Sequence, residues 1–128
     1  MQANRRLNAL FALLLILGGC GVPAPEVHGT YIASYPFGTE TLTLMQDGTF
    51  VQEVHLKGEE PVTVRGTWKF DATESRITLT GMMVVVDSLD RLRPSWKTVD
   101  SGIVSSDVER HPSGILIGSA AQYPYVKQ

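Results

Sequence analysis

The chain has 128 residues, with 11 lysines and arginines against 13 aspartates and glutamates, and a formal net charge of −2 at neutral pH. This length suits a single domain, and the weakly acidic balance is a poor match for nucleic acid or for anionic lipid head groups. A lone cysteine excludes a scaffold held by intrachain disulfides.

The first twenty residues have the order of a bacterial secretion signal. Arg5 and Arg6 precede an apolar run that ends at Leu17, and Gly18-Gly19-Cys20 follows. A positive region, a short apolar region and small residues before a cleavage point are typical of a removable signal peptide. The uninterrupted apolar stretch, Ala9 to Leu17, is less than half of the roughly 20 residues that a bilayer-spanning helix needs.

The end of this segment, Leu17-Gly18-Gly19-Cys20, resembles the lipobox of bacterial lipoproteins. The resemblance implies that the sulfur of Cys20 receives a diacylglyceryl group and that residues 1–19 are removed. The new amino group of Cys20 is then acylated. Two or three acyl chains, at about 0.8 kcal/mol per buried CH₂, form a stable membrane anchor. The alternative is an ordinary signal-peptidase cut that leaves a free thiol. Removal of two arginines would change the net charge to −4.

Gly21 follows the cysteine where an aspartate would signal retention in the inner membrane, so the pattern resembles outer-membrane sorting. We therefore expect a lipid-anchored cell-envelope protein, on the periplasmic face of the outer membrane in a Gram-negative host or on the outer face of the plasma membrane in a Gram-positive one. Pro23 and Pro25 disfavour both helix and strand, which predicts a flexible tether over residues 20–28. The folded domain, 29–128, should begin near Gly29.

Four segments after Gly29 alternate apolar and polar residues with the period of two that is typical of half-buried strands. They are Thr39–Met45, Phe50–Leu56, Val62–Phe70 and Ile77–Val85. Asp47-Gly48 lies between the first two segments and is a strong hairpin signal. After Gly81 both faces of the fourth segment become apolar, which predicts that this half is covered on both sides or meets a partner.

A Gly-Thr-aromatic triplet occurs three times, at Gly29, Gly48 and Gly66, with spacings of about one hairpin. One interpretation is that each glycine permits a bend at a barrel corner while the aromatic residue fills the interior. The other is chance combined with ordinary hairpin composition.

The pattern beyond Asp87 is weaker. Residues 88–94 fit one helical turn or a long loop, and 97–104 fit another strand. Gly114–Gly118 is a short apolar run that predicts a buried closing strand, and Gln122–Val126 predicts an edge strand protected by Pro124. Together the segments predict an all-β fold, a small antiparallel meander barrel or curled sheet of six to eight strands.

The strand order, with Gly29-Thr30-Tyr31, Asp47-Gly48-Thr49-Phe50 and Gly66-Thr67-Trp68-Lys69, resembles small lipocalin-like bacterial lipoproteins. The nearest layout is the N-terminal barrel of the copper-resistance and surface-sensing envelope lipoproteins, and the likeness covers about residues 29–81. Where that family carries a Cys-x-x-Cys pair, this chain has Tyr35-Pro36-Phe37-Gly38. The resemblance therefore implies a fold and not a copper site.

Few residues have the types and spacing that chemistry needs. Glu53 and His55 share one strand face, but two ligands without a third do not define a metal site, and we predict no metal and no cofactor. Trp68 and Phe70 alternate with polar residues and are expected in the core. The candidate ligand-binding residues are aromatic and lie near prolines or outside clear patterns: Trp96, Tyr35, Phe37, Tyr123 and Tyr125.

No catalytic constellation is complete, so we predict a non-enzymatic protein that binds a protein partner or a small apolar ligand and no nucleic acid. The alternative is a lipid-anchored hydrolase. Asp107, Glu109, His111 and Ser113 include the residue types of a hydrolase triad, crowded into one predicted loop, but no nucleophile-elbow motif accompanies them.

Overall fold

The structure, a computed structural model, describes residues 21–87 and 96–128. The described residues form eight antiparallel strands that close into a barrel in chain order, each strand pairing with the next and the last with the first. The all-β prediction is confirmed, at the upper end of the expected strand number. The strands are β1 (Gly29–Tyr35), β2 (Gly38–Leu44), β3 (Thr49–Leu56), β4 (Val62–Asp71), β5 (Arg76–Asp87), β6 (Trp96–His111), β7 (Gly114–Ile117) and β8 (Tyr125–Lys127).

The hairpin of β2 and β3 shows how local sequence builds the wall. Leu44 pairs with Phe50, and both side chains are buried inside the barrel. The Asp47 carboxylate accepts hydrogen bonds from the backbone N–H and the hydroxyl of Thr49, at 2.9 and 2.6 Å. Gly48 has a φ of +87°, a conformation that glycine adopts without strain. The predicted turn is confirmed.

Because the strands run up and down, alternate connections lie at the same end of the barrel. The β2–β3, β4–β5 and β6–β7 turns share one end with residues 22–28, and we call it the plugged end. The β1–β2, β3–β4 and β7–β8 connections share the other end, which we call the aromatic end after Tyr35, Phe37 and Tyr123. Among the described residues, no helix combines the length and hydrophobicity required to cross a bilayer.

The segment before β1 differs from the predicted tether. Residues 24–26 form a short 3₁₀ helix, and Val22 and Val27 on either side of it are buried in the core. The Tyr31 hydroxyl donates to the Val27 carbonyl at 2.6 Å. Prolines disfavour an α-helix but fit a 3₁₀ turn, and two valines flanking that turn can cover the apolar barrel interior. The ordered fold thus begins at Val22, seven residues before Gly29.

β5 and β6 form the longest hairpin. β5 pairs with β4 only over Arg76–Thr80, and a bulge at Gly81 separates this half from a second half that pairs with β6 alone among the described strands. β6 extends to His111, so the predicted loop around that residue is in fact strand, because β5 and β7 both supply partners to it. The prediction of a helical turn or loop over 88–94 lies outside the described residues.

Barrel closure corrects two further predictions. Gly114–Ile117 is a buried strand as expected, but it is β8 that closes the barrel. β8 was predicted as an edge strand, yet it pairs with both β1 and β7. Pro124 immediately precedes β8, so it removes no hydrogen bond from either ladder. Alternation along one strand cannot reveal whether that strand has a second neighbour.

Candidate functional site

The structure gathers three of the five predicted aromatic residues at the aromatic end. Tyr35 ends β1, Phe37 lies in the β1–β2 turn, and Tyr123 lies in the β7–β8 connection. The Tyr35 and Phe37 rings are stacked with centroids 5.0 Å apart, and Tyr123 meets Tyr35 edge to face at 5.1 Å. Each ring is half-buried. We call these three residues the aromatic cluster.

The other two predicted residues have different positions. Tyr125 begins β8, and its hydroxyl points to the same carboxylate as that of Tyr35, which connects it to the cluster from inside the barrel. Trp96 is the first residue of β6, but its side chain lies outside the described part of the structure. Trp68 and Phe70, predicted as core, are partly buried and pack against the core.

A polar network beneath the cluster was missed from the sequence. Glu40 is 2% exposed, and its Oε2 accepts hydrogen bonds from the Tyr35 and Tyr125 hydroxyls, each at 2.5 Å. The Gln52 amide lies 3.4 Å from Oε1 of the same carboxylate. The signal was present, because Glu40 shares the inward face of Leu42 and Leu44. A polar residue in an apolar register is a candidate for a buried network.

The Gln52 side chain also makes hydrogen bonds to β5 that a neighbouring strand would otherwise make. Its side-chain amide donates to the Met83 carbonyl and accepts from the Met83 N–H, both at 2.9 Å. Met83 directly follows the β5 bulge, where β4 no longer pairs with β5. Beyond Thr80 the strands β4 and β5 separate, and we call this place the split. The fully buried Gln52 therefore provides hydrogen-bond partners for two backbone groups of Met83 that would otherwise be unpaired at the split.

Burial raises the pKa of Tyr35 and Tyr125, and the neighbouring Glu40 carboxylate raises both further. Burial alone raises the pKa of Tyr31 to about 12. The folded protein thus retains these phenolic protons above pH 10, about the ordinary pKa of tyrosine, where the unfolded chain releases them. Since the folded state then binds more protons, stability falls as pH rises.

We expect the urea midpoint of unfolding to hold steady up to about pH 9 and to fall between about pH 10 and 12. The variant Tyr125→Phe should show a shallower fall than the parent, because it lacks one of the titrating hydroxyls. Tyr123→Phe is the control, since the Tyr123 hydroxyl does not contact Glu40 among the described contacts. Equal slopes for the Tyr125 variant and the parent would contradict this assignment.

A small apolar cavity lies behind the cluster. Its volume is about 110 Å³, and its lining includes Leu79, Met82, Val104, Ile117, Tyr123 and Tyr125. Ligand pockets for drug-sized molecules occupy roughly 300–1,000 Å³, and a dry cavity of roughly 150 Å³ holds a benzene molecule. The cavity can therefore accept a small apolar group and not a long acyl chain.

An acidic turn borders the cluster. The Lys57 N–H donates to the Phe37 carbonyl at 2.9 Å, which holds the β3–β4 turn against the β1–β2 turn. Glu59 and Glu60 lie in that turn and are exposed. The aromatic end thus combines half-buried rings with exposed negative charge.

The residues of the hydrolase alternative lie outside the aromatic cluster, on the last part of β6 and in the β6–β7 turn. Asp107, Glu109 and His111 alternate along β6 instead of sharing a loop, and His111 contacts Glu109 at 3.1 Å. Asp107 accepts a hydrogen bond from the Ser119 hydroxyl at 2.6 Å, which lowers the pKa of its carboxyl. Within 21–87 and 96–128, no hydrogen bond joins Ser113 to His111. The hydrolase stays a prediction with a base and a carboxylate but without a contacting nucleophile.

Glu53 and His55 are exposed on the outer face of β3, as the alternation predicts. In the described ranges, no group of three or more histidine, cysteine, aspartate or glutamate side chains lies close enough together to hold a metal ion. Cys20 lies outside those ranges, so its lipid attachment stays a prediction. Comparison of the chain with protein-family models, with curated proteins and with solved structures finds no match.

Proposed function

We propose that this chain is a lipid-anchored, non-enzymatic protein of the cell envelope whose aromatic end binds a protein partner. In a Gram-negative host its place would be the periplasmic face of the outer membrane. The observation that carries the proposal is the cluster of Tyr35, Phe37 and Tyr123, which is half-buried at one end of the barrel. Aromatic side chains are enriched at the energetic centres of protein interfaces, because they bury a large area at a low cost in entropy.

The large side chains that fill the described part of the interior support a protein partner over a carried lipid. Tyr31, Phe50 and Ile77 are fully buried, and the Glu40 network occupies the space beneath the aromatic cluster. The cavity of about 110 Å³ behind the aromatic cluster suits one apolar side chain of a partner. The exposed Glu59 and Glu60 favour a partner surface with basic groups, since complementary charges steer association.

A second candidate is a small apolar ligand in the same cavity, which its largely apolar lining favours. The volume limits such a ligand to about the size of benzene or smaller. Native mass spectrometry of the barrel purified from its host separates the two candidates. A mass excess that disappears on denaturation would support the small ligand, and a bare chain mass would support the protein partner.

The partner proposal is tested by placing a photo-crosslinking residue at Phe37 in intact host cells. We expect a discrete adduct from Phe37 and none from Thr63, an exposed position on the side wall. Tyr123→Ala in the same chain should reduce the Phe37 adduct at least fivefold, because it removes the edge-to-face contact of the cluster. Equal adducts from both crosslinking positions would refute a partner site at the aromatic end.

The lipid attachment is tested separately by Cys20→Ser. We expect the parent chain in the membrane fraction and the variant unprocessed, because the acylated sulfur is absent. Ser113→Ala is the control and should fractionate like the parent. Normal processing and continued membrane association of the Cys20 variant would contradict lipidation at this position.

A further inference from the structure

The chain between Cys20 and the folded barrel is very short. Only Gly21 separates Cys20 from Val22, and the Val22 side chain is 3% exposed within the core cluster. The Cα atoms of Cys20 and Val22 can be at most about 7 Å apart, the span of two extended residues. Any group attached to Cys20 therefore lies close to the plugged end of the barrel.

Residues 22–28 are held by contacts with three strands, so they cannot extend to lengthen the link between Cys20 and the barrel. Tyr31 of β1 donates to the Val27 carbonyl, Arg110 of β6 pairs with the Glu26 carboxylate, and the Lys127 ammonium of β8 donates to the Glu26 carbonyl. Extension of residues 22–28 into a tether would break all three contacts and expose Val22 and Val27. Without such unfolding, the barrel can move relative to Cys20 only by rotation about the backbone bonds around Gly21.

We propose that the plugged end of the barrel rests on the head groups of the membrane that holds the acyl chains of Cys20. The aromatic end then points away from that membrane, into the aqueous phase on the same side. This inference rests on the lipid attachment in the proposed function. β1 and β2 have seven residues each, about 23 Å of strand. A strand tilt of about 40° places the aromatic end about 18 Å above the plugged end.

The plugged end carries charges of both signs, and its Arg110 and Lys127 side chains contact Glu26, so in this proposal the covalent link, and not attraction to lipid, sets the orientation. Asp47 and Asp71 lie at turns of this end and are exposed, and the carboxylates accept hydrogen bonds from one and two backbone N–H groups of their own turns, respectively. Such groups do not attract anionic head groups. In this orientation the aromatic end lies away from the head groups, so it can contact a partner in the aqueous phase and not a lipid of the anchoring leaflet.

The test uses the full lipidated chain in phosphatidylcholine vesicles that contain a lipid with a nitroxide head group. Thr73→Cys places a fluorophore in the β4–β5 turn at the plugged end, and Glu59→Cys places one in the β3–β4 turn at the aromatic end. Both positions are exposed, and the introduced thiol is the free one because Cys20 is acylated. We expect quenching at position 73 to exceed quenching at position 59 severalfold.

Insertion of twenty glycine and serine residues between Gly21 and Val22 is the matched control, and it should make the two labels equally quenched. Equal quenching in the parent chain would overturn the proposed orientation, and unequal quenching that persists with the inserted linker would overturn the short link as its cause. Flotation of the vesicles in a density gradient is measured first. A chain that does not float with them refutes the lipid attachment itself, whereas a chain that floats with equally quenched labels refutes only the orientation.

Discussion

Replacing Gly66 with alanine is expected to destabilise the barrel by about 3 kcal/mol, near the upper end of the usual cost of overpacking. A Cβ at this position would lie 2.1 Å from the backbone oxygen of Thr80 and 2.6 Å from the ring of Phe50. Phe50 pairs with Gly66 across β3 and β4, and its ring covers the space that the glycine leaves. The carbonyl belongs to β5, so the clash can be relieved only by separating two strands.

The measurement is urea unfolding of residues 21–128 with Gly66→Ala, followed by circular dichroism. Gly21→Ala is the control, because a Cβ there would meet no atom within 4 Å, and it should leave the midpoint unchanged. The predicted loss is a large part of a typical free energy of unfolding of roughly 5–15 kcal/mol. A midpoint for Gly66→Ala within error of the parent would show that β4 and β5 are not this close.

Replacing Gln52 with leucine is expected to cost about 3 kcal/mol, because each buried backbone group left without a partner costs about 1–3 kcal/mol. Leucine has a similar volume but cannot bond to the N–H and carbonyl of Met83. We also expect the Met83 amide hydrogen to exchange faster in the variant. This readout separates the loss of the hydrogen bonds from a general loss of packing.

Gln52→Glu should be more damaging at neutral pH, since a carboxylate cannot donate to the Met83 carbonyl and would lie beside Glu40. Its penalty should shrink as pH falls, because the protonated acid regains a donor and loses its charge. Gln46→Leu, at an exposed turn, is the control, and a change within about 0.5 kcal/mol is expected. An unchanged hydrogen-exchange rate of the Met83 amide in Gln52→Leu would contradict the proposal that the Gln52 side chain bonds to the backbone of Met83.

Much of the candidate site could have been predicted from the sequence, and part of it could not. The sequence indicates Tyr35, Phe37 and Tyr123 because they are aromatic and flank prolines, and in the structure they meet. Glu40 and Gln52 carried a local signal, an inward register among apolar residues, but nothing local indicates their partners. Tyr125 and Glu40 lie 85 residues apart, so only closure of the barrel brings the two together.

The sequence by itself determined the class of fold and the faces of most strands, because the alternation that separates Leu42 and Leu44 from their threonine neighbours is a property of adjacent residues. Asp47-Gly48 likewise defines its turn through local bonds alone. The tertiary structure decided that β8 has two neighbours, that Val22 and Val27 plug one end, and that Gln52 bridges the split beside Met83. These features depend on contacts between residues distant in the chain, which form only when the barrel closes.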